Sequence, residues 1–143
     1  MSDITLHQLE LTDEEIIKII ANIIGASIDL TKNNDPNELN IYMYTKANNQ
    51  VRDVFFIQGL KDIKTCNIIW LNPNTTGKRV LITIADYAID VLGMEEVFIR
   101  VDKNNKSLVK YLENNEFESL GEEEKDIIFL KEKLNEQIKN RTI

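Results

Sequence analysis

The chain has 143 residues, 43% of them hydrophobic, a single cysteine and a formal charge of −7. That length suits one domain, residues 1–143, burying roughly two thirds of the surface its unfolded form exposes. The acidic excess opposes counterion-releasing contact with nucleic acid, and the lone Cys66 excludes an intramolecular disulfide or a Cys-rich metal site. No charged start leads into an apolar leader and no run approaches the ~18 apolar residues of a membrane span, so a cytoplasmic protein without membrane contact or bound metal is expected.

Residues 4–9 alternate apolar and polar side chains and read as a half-buried strand. Thr12 and Glu15 then form a capping-box pattern before an isoleucine-rich helix in which Ile16, Ile20, Ile23 and Ile24 share one face. Gly25 interrupts it, and a shorter helical piece is expected up to Lys32, before NNDPNE breaks regularity. Three strands follow at 40–44, 52–57 and 67–71, with turns at 47–50 and 59–65. From Leu71 the chain passes through NPNTTGKR into an apolar helix at 78–92, whose polar stripe is Thr83, Asp86, Tyr87 and Asp90. It emerges as a strand at 97–101, the spacing of a βαβ crossover. A helix opened by Asn105 comes next, and residues 117–120 and 126–130 form an antiparallel strand pair around the acidic turn GEEEK. The charged tail from about 131 to 143 is expected to extend as a surface helix that frays.

The stretch 101–117, VDKNNKSLVKYLENNEF, joins a β-branched strand end to that helix and stops at a polar pair before an aromatic. It resembles the signature near the end of GNAT-superfamily N-acetyltransferases. Val101, Asp102, Asn105, Leu112, Glu113 and Phe117 fall at the family spacing, while Glu116 stands where Gly is usual. The pattern around Asp86, Tyr87, Gly93 and Val97 is most similar to the branch that modifies ribosomal-protein N-termini. The resemblance implies an α/β (α+β) fold in the order β-α-α-β-β-β-α-β-α-β-β: a mixed, mainly antiparallel sheet, flanked by helices and splayed between the strands at 67–71 and 97–101. It also implies acetyl-CoA as co-substrate and transfer of an acetyl group to a primary amine of a small-molecule or peptide acceptor. The acidic excess slightly favours a positively charged acceptor, and the oligomeric state stays open, a homodimer included. The alternative is a GNAT-like protein without catalysis that serves as a binding or regulatory module, to which Thr75, Leu112 and Glu116 point.

In that family an R/Q-x-x-G-x-G/A loop presents backbone N–H groups at a helix N-terminus to the pyrophosphate of coenzyme A. Aligned on Pro73, Thr76 takes the first position and Arg79 and Leu81 replace the small residues. Aligned backwards from Leu81, Asp86, Tyr87, Ala88 and Gly93, Asn72 takes the first position, Thr75 replaces the first Gly and Gly77 keeps the second. The second register is preferred because a gap in a loop is easier than a changed residue count in a packed helix. The loop is degenerate in either case. The cofactor-binding candidates are Leu71, near which the family pattern implies a backbone amide that polarises the thioester carbonyl, with Asn72, Thr75, Thr76, Gly77, Lys78, Arg79 and Asn105. Lys78 and Arg79 oppose the helix macrodipole unless an anion sits there; otherwise they extend into water or meet surface carboxylates. Asn105 caps its helix through its side chain, and the resemblance adds a contact with the cofactor.

No catalytic residue is assigned. Leu112 stands where the family commonly has a Tyr; Tyr111, one residue earlier, is a weak candidate proton donor. His7, Cys66 and Glu113 are more simply an edge residue, an inert thiol and a solvated carboxylate. Trp70, Tyr42 and Tyr44 either line an acceptor cleft or pack the sheet.

Overall fold

Asn48 and Asn49, both at positive φ (53° and 62°), turn the chain tightly between β2 (Glu38–Ala47) and β3 (Gln50–Leu60). Asparagine tolerates this left-handed region, and two such residues match the twist of the strands they join. The computed structural model describes residues 4–30, 35–74 and 77–133. Its other strands are β1 (Thr5–Gln8), β4 (Thr65–Trp70), β5 (Glu96–Asp102), β6 (Glu118–Glu123) and β7 (Asp126–Glu132), and its helices are α1 (Glu14–Ile24), α2 (Lys78–Asp90) and α3 (Lys106–Glu113).

The seven strands form one sheet in the order β1-β2-β3-β4-β5-β7-β6, antiparallel except at β4–β5. Alternation along β2 and β3 sends Met43 and Phe55 to one face and Tyr44 and Val54 to the other. The first face carries the larger core, where Leu81, Ile84 and Ala88 of α2 and Leu108 and Leu112 of α3 meet Ile68, Val97, Ile99 and Phe129. The second is covered by α1 through fully buried Ile20, with Ile16, Ile17 and Ile24 beside it. Ile23, expected on the inner face, is 38% exposed; Ile17 takes that place.

Several local expectations shift for identifiable reasons. Helix α1 begins after Asp13, not Thr12, and has no side-chain cap, because the Asp13 carboxylate instead accepts the Glu10 N–H at 2.9 Å. Gly25 ends α1 in the left-handed conformation (φ 69°), and the Ala26 N–H closes back on the Ala21 carbonyl at 3.1 Å. No second helix forms over residues 26–30; Ile28 and Leu30 pack instead against the α1 cluster, and the rest of the expected piece lies outside the described residues. Strands β3 and β4 run on past the expected turn, through the pair Gly59↔Cys66. A Cβ at Gly59 would stand 2.5 Å from the Thr65 carbonyl oxygen and 2.6 Å from Cys66 Cβ, so the missing side chain permits close approach within a strand. Lys131 and Glu132 belong to β7 rather than to a tail helix, and Lys131 reaches Asp86 of α2 at 2.6 Å; the tail beyond residue 133 lies outside the described residues. Among those residues no helix is long and apolar enough to cross a membrane.

A candidate acyl-donor cleft between two splayed strands

The one parallel pair in the sheet is short. Strands β4 and β5 pair from Thr65↔Glu96 to Ile68↔Ile99 and then part. Each is held on its far side by a longer antiparallel ladder, β4 by β3 up to Phe55↔Trp70 and β5 by β7 up to Asp102↔Asp126. Sheet twist carries the two outer ladders away from each other, and a cavity of about 520 Å³ opens between the strand ends. Its wall on the α2 side is apolar, with Ile68, Trp70, Leu81, Ile99 and Leu108, while Gln58, Asn67, Arg100 and Asp102 line its other end. A second space of about 310 Å³ lies toward the starts of α2 and α3, bounded by Asn74, Lys78 and Ser107. The two share Pro73, Asn105 and Leu108, so they form a continuous groove. An elongated, largely apolar channel of this size suits a flexible arm with a polar head.

Strand geometry decides which backbone amide near Leu71 faces the opening. The Leu71 N–H donates to the Val54 carbonyl at 2.9 Å and therefore points toward β3. By strand alternation the Trp70 N–H points the opposite way, toward β5, and the ladder with β5 stops at Ile68↔Ile99, two residues before it. The amide facing the opening is thus that of Trp70. Its side chain stacks on Phe55 with centroids 5.5 Å apart, and its buried indole N–H has no acceptor among the described residues.

In the loop that follows, two side chains among the described residues, Asn72 and Asn74, bond back to the chain. Asn72 copies a strand residue: its Oδ1 accepts the Val54 N–H at 2.7 Å and its Nδ2 donates to the Arg52 carbonyl at 2.9 Å. Asn74 Oδ1 accepts the Gly77 N–H at 2.8 Å, and Asn74 Nδ2 donates to Asp53 Oδ1 at 2.6 Å. Asp53 is fully buried, with its Oδ2 accepting the Thr45 hydroxyl at 3.1 Å. Thr75 and Thr76 lie outside the described residues. Lys78 bends across the groove to Ser107 Oγ at 3.2 Å and sits 5.3 Å from the Tyr111 ring centroid. Arg79 is on the opposite side of α2, lining a small cavity with Thr45, Thr83 and Leu6. Of the eight cofactor candidates, then, the structure brings Lys78 and Asn105 to the groove wall, engages Leu71, Asn72 and Gly77 elsewhere, and separates Arg79.

Asn105 caps α3, accepting the Leu108 N–H at 3.4 Å, while lining both parts of the groove. Tyr111 lines neither part. His7 stacks on Tyr44 at 5.2 Å and bonds Thr5 Oγ1 at 2.8 Å on the β1 side of the sheet. Tyr42 packs on Phe56, and burial followed by the nearby Asp13 charge raises the Tyr44 hydroxyl above its ordinary range. Cys66 is fully buried, and burial pushes its thiol up to about 12. Glu113 is exposed at the end of α3. Asp53 and Asn74 escaped the sequence reading, although each left a signal. Asp53 occupies a core-face position in the apolar run VRDVFFI, and Asn74 precedes Gly77 by three residues, close enough for its side chain to bond a nearby backbone N–H.

With this architecture the chain has the GNAT acetyltransferase fold, a mixed, mostly antiparallel seven-stranded sheet with flanking helices. N-acetyltransferase PseH of Campylobacter jejuni, solved in complex with acetyl coenzyme A, is similar at 16% identity over 92% of this chain and 100% of that one, with a TM-score of 0.60. Spermidine/spermine N-acetyltransferase SpeG from Vibrio cholerae is similar at 16% identity over 98% of this chain and 97% of that one, with a TM-score of 0.62. No family model matches the sequence, and no curated protein does.

The groove fits a coenzyme A thioester in part. The apolar opening, with an outward amide and a helix N-cap beside it, accommodates an acyl-pantetheine arm. At the start of α2 one amide of the expected diphosphate nest is engaged within the chain, since Asn74 accepts the Gly77 N–H, and Thr75 and Thr76 lie outside the described residues.

Proposed function

We propose that the protein is a cytoplasmic acetyl-CoA-dependent N-acetyltransferase acting on a primary amine of a small-molecule or peptide acceptor. The observation that carries this is the parting of β4 and β5 after Ile68↔Ile99, which leaves a cavity of about 520 Å³ with the Trp70 amide side toward it. Within that cavity, the apolar wall excludes water and Asn105 orients the polar part of the arm. Acetyl transfer joins the amine nitrogen to the carbonyl carbon and breaks the carbon–sulfur bond, with the amine proton passing to a carboxylate on the wall and the departing thiolate taking a proton from solvent. Alignment of amine and thioester supplies much of the acceleration in such a reaction, and a backbone N–H at the carbonyl oxygen adds more. Asp102 is the one carboxylate on the cavity wall among the described residues; its Oδ1 accepts the Asn104 N–H at 2.9 Å, so its other oxygen is the one to take the amine proton.

Titration calorimetry with acetyl-CoA and with S-acetyl-pantetheine, followed by thiol release over a panel of amines, tests this. Binding and amine-dependent thiol release are expected, with Asp102→Asn lowering kcat about tenfold or more at unchanged KM for the donor. Absence of binding by either thioester would exclude the transferase. Binding without release would favour the second reading, a GNAT-like binding or regulatory module, which the side-chain closure of the Gly77 amide supports.

A further inference from the structure

Resting on the acyl-donor cleft proposed above, we infer that Asp53 is an internal anion standing in for a diphosphate at the start of α2, so that this chain selects its donor by the acyl-pantetheine arm and gains little from the phosphates. Asp53 lies on the core face of β3 at 0% exposure, and both its oxygens accept, one from the Thr45 hydroxyl and one from Asn74 Nδ2. Thr45 is held for this by a register shift between Tyr44 and Lys46, and its Oγ1 also accepts the Asp53 N–H at 3.0 Å. The Asn74 carboxamide has one orientation open to it, because its nitrogen must face the carboxylate and its oxygen must face the Gly77 N–H. The helix start is thereby linked to a buried carboxylate through a single amide. Gly77 lets them approach: a Cβ there would stand 2.6 Å from Asp53 Oδ1 and 2.7 Å from Trp70 Cζ2.

A carboxylate complements the positive end of a helix as a ligand phosphate would. A diphosphate arriving at α2 therefore meets the Gly77 amide already taken, with the Asp53 carboxyl group behind it. The cations of the first turn fit the same arrangement. Arg79 lines a cavity together with Thr45, the hydroxyl that holds Asp53, and not the groove. Lys78 turns to Ser107.

The test compares acetyl-CoA with S-acetyl-pantetheine, which carries the same thioester arm without phosphates, on the full chain and on Asn74→Ala and Asp53→Asn, with binding read by calorimetry or ligand-observed NMR. The unaltered protein is expected to bind the two donors within about fivefold of each other. Asn74→Ala is expected to tighten acetyl-CoA at least tenfold while S-acetyl-pantetheine stays within twofold. Asp53→Asn should act in the same sense; because it alters a buried group it counts only if its melting transition is intact, and Asn74→Ala carries the test otherwise. A hundredfold preference for acetyl-CoA in the unaltered protein, or an Asn74→Ala variant whose donor ratio does not change, would overturn the inference while leaving the cleft intact. Failure of S-acetyl-pantetheine to bind any of the three would remove the cleft and the inference together.

Discussion

Glu116 holds φ at +70°, in the left-handed region that a side chain with a Cβ disfavours. It is held there because the Asn115 and Phe117 N–H groups both turn back to the Leu112 carbonyl, at 3.1 and 3.3 Å, and because Phe117 is buried at 5% exposure. The position where the family resemblance leads one to expect Gly is thus one whose geometry favours Gly. Glu116→Gly should stabilise the protein by about 0.5–1 kcal/mol, the relief of strain being partly offset by a more flexible unfolded chain; a higher urea midpoint at unchanged slope checks it. Cys66 offers a prediction in pH. Its thiol titrates at about 12 when folded against an ordinary 9.0. The folded state therefore holds this proton more tightly, and its contribution to stability is full below pH 9 and is lost as pH rises from 9 toward 12. Native protein at pH 8 should consequently resist a disulfide thiol reagent, at least about a thousandfold more slowly than urea-unfolded protein. Prompt native labelling would show that the site is open.

At the scale of elements, the seating of α2 on β3 decides how the loop behaves. Gly77 starts the helix against Asp53 and Trp70, with no room for a methyl group. Gly77→Ala is expected to cost about 1–3 kcal/mol by overpacking, read from thermal or urea unfolding. Any loss of ligand binding on adding a larger side chain there would reflect the displaced helix start as much as a lost phosphate contact. Strand β6 illustrates a different demand on an element. It is one edge of the sheet, every residue in it is exposed, and Glu118, Glu122 and Glu123 together with a register shift at Ser119/Gly121 discourage pairing with another chain. Arg100 and Lys103 pair across to Glu123 and Glu122 at 3.5 and 3.7 Å; these contacts are exposed and contribute little stability.

Over the whole molecule, elements with strong periodicity were legible and the side-chain bonds of the loop were not. The alternation in β1, the apolar circumference of α2 and the Asn-opened α3 all carry their own local pattern, and each formed within a few residues of its expected bounds. Over residues 26–30 the extra helix expected after Gly25 does not form, and Ile28 and Leu30 pack instead against the α1 cluster. The register of NPNTTGKR could be argued from alignment, but which side chains would fill it depended on β3, some twenty residues upstream. Asp53 and Asn74 meet only when the sheet is assembled.

The sequence by itself carried the family resemblance that implied the fold class, and its local patterns indicated the crossover that makes β4 and β5 parallel neighbours and the Asn105 cap, because those two follow from spacing along a short stretch of chain. Only tertiary structure decided which amide faces the opening, that Asn72 bonds to β3, that Arg79 stands apart from the groove and that a buried carboxylate reaches the start of α2. Those outcomes depend on strand register and on which face of a helix meets the sheet, and both are settled by packing between segments distant in the chain.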